Sequence, residues 1–244
     1  MSSHAYGAKR AVHKRTTQFN LSRPICGLIL ALVVGWLQPT ALQAKTLKLL
    51  ALGDSLTAGY GLAQGEGFVP QLQAWLVARS AEIEVINAGV SGDTTASGQA
   101  RLGWSLTDDI DAVLVNLGGN DMLRGLPPEE TRKNLEAILS ELASRGLPTI
   151  LIRVPASLNF GPDHKASYDM AFPELAARFH SQFIPNFFAA LEEQPNRQEV
   201  LQTLFQRDGI HPTAQGVAMI VEKIGPEVLS VLQRLQQGEL SRTD

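Results

Sequence analysis

Short runs of nearly unbroken apolar residues recur along this chain between longer stretches of helical spacing, and this alternation limits the fold more than any other feature. Leu47 to Leu52 (LKLLAL), Ala112 to Leu117 (AVLVNL) and Thr149 to Val154 (TILIRV) are too apolar for strands with one solvated face. Such runs suit parallel strands covered on both sides. Glu84 to Asn87 and a weaker stretch from Gln182 to Ile184 bring the set to about five strands. Between them the spacing predicts helices over Phe68 to Arg79, Thr94 to Trp104, Pro128 to Arg145, Ala166 to Phe179 and Thr213 to Gln236. Repeated strand-helix order with right-handed crossovers gives a doubly wound α/β/α sandwich. Pro155 to Lys165 and Gln194 to Arg207 read as the long loops.

The first residues stand apart from this pattern. Lys9, Arg10, Lys14, Arg15 and Arg23 precede the apolar run Ile25 to Trp36, which is followed by a small-residue stretch ending at Ala44. Basic, apolar and cleavable segments in that order predict a secretory signal peptide over residues 1–44 and a single domain over residues 45–244. The apolar run has 12 residues, whereas a bilayer span needs roughly 20. Removing residues 1–44 takes away five Lys/Arg and no Asp/Glu, leaving 16 basic and 24 acidic residues, a formal charge of −8. That balance argues against nucleic acid as a partner. The one cysteine, Cys26, lies in the leader, so the remainder has no disulfide, thiol nucleophile or cysteine metal site.

Ligands of doubly wound folds bind beyond the carboxyl ends of the strands, and three polar blocks begin there. Gly53-Asp54-Ser55-Leu56 follows the first strand, Gly89-Val90-Ser91-Gly92 the second, and Gly118-Gly119-Asn120-Asp121 the third. A fourth block, Asp208-Gly209-Ile210-His211-Pro212, lies near the end. Together they hold a hydroxyl, open backbone N–H groups, a neutral amide donor and an acid-base pair, the parts needed for serine-dependent acyl transfer. Taken singly, each also reads as a turn or helix cap. The phosphate-binding pattern Gly-x-x-x-x-Gly-Lys-Ser/Thr is absent. Gly89 to Asp93 approaches the Gly-x-Ser-x-Gly elbow but fails at its fifth residue, which leaves Ser91 as a turn residue. Asp121 and Asp93 read as turn or cap groups, and Asp54 as a brace for the nucleophile loop. Past residue 44 the histidines are His164, His180 and His211. Only His211 has a carboxylate, Asp208, at a spacing that could orient its ring, and three scattered histidines do not make a zinc site.

GDSLTAGYG, GVSGDT, LGGND and DGIHP together resemble the SGNH (GDSL) hydrolase family in order and placement, and within it the bacterial periplasmic acyl-CoA thioesterase, arylesterase and lysophospholipase type. The resemblance implies a flavodoxin-like three-layer sandwich and a periplasmic or secreted enzyme. It implies Ser55 as nucleophile, His211 as base oriented by Asp208, and Ser55 N–H, Gly92 and Asn120 as oxyanion donors. No metal or organic cofactor is called for. The expected substrates are small acyl esters, thioesters or lysophospholipids, handled by a monomer with no membrane span once the leader is gone. Met122, Leu123, Leu126, Leu158 and Phe160 are expected to line an acyl pocket, with ordinary core packing as the alternative. A carbohydrate O-acetylesterase and a non-enzymatic binding domain remain open as other readings.

Overall fold

A computed structural model describes residues 46–79 and 82–240, and the leader expected over residues 1–44 lies outside the described residues. The elements follow as β1 (Leu47–Gly53), α1 (Ser55–Ala58), α2 (Phe68–Val77), β2 (Ile83–Gly89), α3 (Thr95–Ser105), β3 (Ala112–Asn116) and α4 (Gly119–Leu123). Then come α5 (Pro128–Ser144), β4 (Thr149–Ile152), α6 (Pro162–Arg178), β5 (Gln182–Ile184), α7 (Ala189–Glu192), α8 (Arg197–Thr203) and α9 (Ala214–Gln236). The five strands are parallel in the order β2-β1-β3-β4-β5. This is the flavodoxin-like order, which opens a crevice where the chain reverses direction between β1 and β3.

Both faces of the sheet are covered, as the unbroken apolar runs require. Along β1, Leu49 and Ala51 join one cluster while Leu50 and Leu52 join the other. The first cluster packs under α2 and α9, where Val217, Ile220, Val221, Ile224, Val228, Val231 and Leu232 form one apolar stripe. Each such side chain contributes roughly 1.5–3 kcal/mol of transfer free energy before ordering entropy is counted. The second cluster holds Leu135, Ile138, Leu139 and Leu142 of α5 with Tyr168, Phe172 and Leu175 of α6. Among the described residues, no helix is long and apolar enough to cross a membrane.

Two expected loops contain helix. The segment read as a loop from Pro155 to Lys165 ends at Gly161, because Pro162 takes the first position of α6, where its missing N–H costs nothing. Within Gln194 to Arg207 lies α8, capped by Asn196, whose side chain accepts from Glu199 N–H at 3.3 Å. Asn-x-x-Glu is a helix-start signature, and polar composition concealed it.

The register sets the site. Gly53 stands opposite Gly89 on one side and Asn116 on the other, so the first three strands end level. Helix α1 crosses these ends so closely that a Cβ on Gly89 would lie 2.3 Å from the Ala58 nitrogen. Because the obstacle is backbone, α1 itself would have to shift. Gly89→Ala should destabilise the protein by about 1–3 kcal/mol through overpacking, as measured by urea unfolding.

Candidate active site

Ser55 opens α1, a helix of four residues capped by Asp54, whose Oδ1 accepts from Leu56 N–H at 3.0 Å. The Ser55 N–H sits at the first helical position and has no intrahelical acceptor. Ser55 Oγ lies 2.8 Å from His211 Nε2, and His211 Nδ1 lies 2.6 Å from Asp208 Oδ2. With the ring proton on Nδ1, directed at Asp208, Nε2 is the acceptor for the Ser55 hydroxyl.

The Asp208–His211 segment folds on itself. Asp208 Oδ1 accepts from the backbone N–H groups of Ile210 and His211 at 2.9 and 3.0 Å. Burial would raise the Asp208 carboxyl, but the bonds from His211 and Ile210 and the attraction of His211 outweigh it and hold the pKa at about 2. Gln206 fastens this segment to the nucleophile turn by donating from Nε2 to the carbonyls of Tyr60 and Pro212 at 2.8 and 3.0 Å. The Tyr60 ring packs on the His211 ring with centroids 4.7 Å apart.

Gly92 and Asn120 lie on the turns after β2 and β3, and Asn120 lines the same cavity as Ser55. Gly92 has φ +88°, a left-handed conformation open to glycine without strain. Its carbonyl accepts from Arg124 Nη2 at 2.8 Å. Asn120 lies in α4 and donates from Nδ2 to Asp93 O at 3.0 Å and to Asp54 Oδ2 at 3.2 Å. These two bonds fix the plane of the amide.

Three carboxylates underlie these turns. Asp54 is 2% exposed, and its desolvation, only partly offset by the Leu56 N–H, the His211 charge and the Asn120 amide, pushes its pKa up to about 6. Asp121, 1% exposed, accepts from Thr95 N–H at 2.8 Å, Thr95 Oγ1 at 2.5 Å and Thr131 Oγ1 at 3.3 Å. It therefore ties the start of α3 to α4 and α5. Asp93 pairs with Arg101 Nε at 2.5 Å. Asp121 and Asp93, turn or cap groups by local pattern, are thus held by partners in other elements, and such partners, Arg101 among them, leave no local spacing signal.

A cavity of about 450 Å³ adjoins Ser55 and Asn120, within the size range of small-molecule sites. Met122 and Leu123 line it, as expected, together with Val154, Phe188, Leu191, Val200, Leu201 and Ile210. The expected pocket residues Leu126, Leu158 and Phe160 do not line it. Phe160 turns toward Gly125 and stacks near His164, while Leu158 is largely exposed. Helix α8, read as loop, supplies the wall instead. His164 meets the Leu126 carbonyl at 3.0 Å, and it, His180 and Ser91 all lie outside the constellation.

A parallel α/β sandwich with serine, histidine and aspartate in series beside its switch point defines the class, a serine hydrolase on a flavodoxin-like frame. The chain belongs to the GDSL-like Lipase/Acylhydrolase family, whose profile matches residues 51–219. It is 31% identical over 191 residues to esterase TesA of Pseudomonas aeruginosa, covering 78% of this chain and 92% of that one. It is 32% identical over 176 residues to thioesterase 1/protease 1/lysophospholipase L1 of Escherichia coli, covering 71% and 79%. The crystal structure of AlinE4, an SGNH-hydrolase family esterase, superposes with a TM-score of 0.62 at 39% identity, covering 77% of this chain and 97% of that one.

The raised Asp54 carboxyl links stability to pH. A folded pKa of about 6 against 3.8 means that the contribution is fully present below 3.8 and is lost as pH rises through about 6. From pH 4 to 8, Asp54→Asn should therefore gain on the wild type by roughly 2 kcal/mol, read from urea unfolding at the two pH values.

Proposed function

We propose that this chain is an exported serine hydrolase that cleaves carboxylic esters, fatty acyl thioesters and lysophospholipids through an acyl-serine intermediate. The observation that carries this reading is the series Ser55 Oγ–His211 Nε2 at 2.8 Å and His211 Nδ1–Asp208 Oδ2 at 2.6 Å, beside an apolar cavity. His211 takes the hydroxyl proton as Ser55 Oγ attacks the acyl carbonyl. Asp208, ionised above about pH 2, holds the ring in the required tautomer and stabilises the imidazolium that forms.

The carbonyl oxygen then carries negative charge, which the N–H groups of Ser55 and Gly92 and the Asn120 amide stabilise. An incoming oxyanion competes with Asp54 Oδ2, the longer of the two contacts now made by the Asn120 amide. Collapse of the intermediate breaks the bond to the leaving alcohol or thiol, which takes the proton back from His211. Water, deprotonated by the same ring, then attacks the acyl-serine and releases the acid. The cavity is lined mainly by apolar side chains, with Glu192, Gln194 and Arg197 also on its wall; that balance favours an acyl chain over a sugar, and the names of the relatives, an esterase and a thioesterase/protease/lysophospholipase, support the substrate breadth. The basic, apolar and small-residue order of residues 1–44 supports export to the periplasm or medium, with residues 45–244 as a single catalytic domain.

Ser55→Ala should lower p-nitrophenyl ester hydrolysis by about 10⁴-fold or more, and a variant active at the wild-type rate would overturn the proposal. Asn120→Ala should lower kcat by about 10²–10³ with little change in KM. Faster cleavage of an acetylated oligosaccharide than of an octanoyl thioester would point instead to the O-acetylesterase reading.

A further inference from the structure

The turns that carry Ser55 and Gly92 are joined by one side chain that touches neither the cavity nor the triad. Arg101 lies in the second turn of α3, and helical side chains lean toward the N-terminus of their helix. Its guanidinium accordingly reaches back to Asp93, donating from Nε to Oδ2 at 2.5 Å. From Nη2 it donates to the Gly53 carbonyl at 2.9 Å, and Nη1 contacts Ser105 Oγ at 3.4 Å. Gly53 is the last residue of β1, two before Ser55, and Asp93 follows Gly92 directly. The Gly53 carbonyl also accepts from Val90 N–H at 3.0 Å, so this one oxygen binds the Gly92 turn through both backbone and side chain. The Asp93 carbonyl in turn accepts from the Asn120 amide.

We infer that Arg101 is a positioning residue for the oxyanion hole, its planar fork setting the separation between the Ser55 and Gly92 turns and, through Asp93, the seat of Asn120. The side chains of Arg101 and Asp93 are only 22% and 12% exposed, and burial of an ion pair brings little net stability. Its geometry accounts for its place in the structure better. A guanidinium presents rigid donors in two directions, whereas a lysine ammonium is a point charge on a flexible stem and holds one direction at most. Oxyanion donors work by being aimed before charge develops, so a loosened strut weakens transition-state binding and leaves substrate binding intact.

This inference rests on the serine-hydrolase reading above, which Ser55→Ala tests separately. Arg101→Gln should lower kcat on a medium-chain p-nitrophenyl ester by about 10- to 10²-fold, with KM unchanged within about twofold. Affinity for an alkyl boronic acid, which mimics the tetrahedral intermediate, should fall in parallel with kcat, whereas affinity for the product fatty acid should not. Arg101→Lys should fail to restore either quantity. In an Asn120→Ala background the same substitution should cost distinctly less than alone, because the donor it seats is gone. Asp93→Asn gives the same signature and serves if Arg101→Gln does not fold. Equal losses of boronic acid and product affinity, or costs that multiply fully with Asn120→Ala, would overturn the inference while leaving the nucleophile assignment untouched.

Discussion

The parallel register of β1 with its two neighbours is the constraint from which the rest of this site follows. Gly53 pairs with Gly89 and with Asn116, so three consecutive strand ends lie level and their turns emerge into the same crevice. No side chain chosen for chemistry creates this alignment; it comes from apolar strands packed on both faces, where a slip in register would misplace every buried residue. The small residues at the strand ends then let α1 settle directly on the sheet. A Cβ on Gly53 would lie 1.9 Å from Thr57 Oγ1, so the nucleophile helix and the sheet edge fit only while that position is bare.

Behind the reacting groups, three aspartates are buried, and each meets the cost of desolvation differently. Asp121 is surrounded by hydroxyl and N–H donors from α3 and α5. Asp93 has a guanidinium. Asp54 has neither a cation in contact nor a full set of donors, and its raised pKa is the consequence. Its carboxyl therefore changes charge near pH 6. The Asn120 amide, shared between Asp54 and the Asp93 carbonyl, sits where these arrangements meet. The donor set is thus held by a polar scaffold beneath the crevice, while the acyl cavity beside it is mainly apolar.

The sheet and the Ser55–His211–Asp208 series were legible in the sequence because both rest on local pattern. Unbroken apolar runs gave strands within a residue or two of those observed, and strand-end placement put Ser55, Gly92 and Asn120 on one edge of the sheet. Asp208 and His211 were legible as a pair because the loop that orients the ring is itself local. The walls of the cavity were not. Leu158 and Phe160 looked suitable by composition, yet whether an apolar loop residue faces a cavity depends on packing that no spacing encodes. Val200 and Leu201 lie in a helix whose polar surroundings resembled a loop, although the Asn196–Glu199 cap was present. Arg101 and Asp121 were invisible for a related reason, since their partners lie in separate elements.

The Ser55–His211–Asp208 series is assembled from two structural sources of unequal security. Ser55, Gly92 and Asn120 follow the buried strands, whereas Asp208 and His211 lie on a segment between α8 and α9 whose Asp208 side chain is 37% exposed. The bond between Ser55 and His211 joins residues 156 positions apart, so its entropy of closure must be met by other contacts across the same gap. Gln206 supplies one of these, to the Tyr60 carbonyl, while its second bond, to Pro212, braces the His211 segment locally, and the Tyr60 ring covers the imidazole. Below, Gly216 brings α9 against the Leu204 carbonyl, 2.3 Å from where a Cβ would stand, and α9 is fixed to the core by its apolar stripe. His211 thus reaches Ser55 through packing of the last helix, and the integrity of α9 bears on the Ser55–His211 contact as directly as that of the crevice itself.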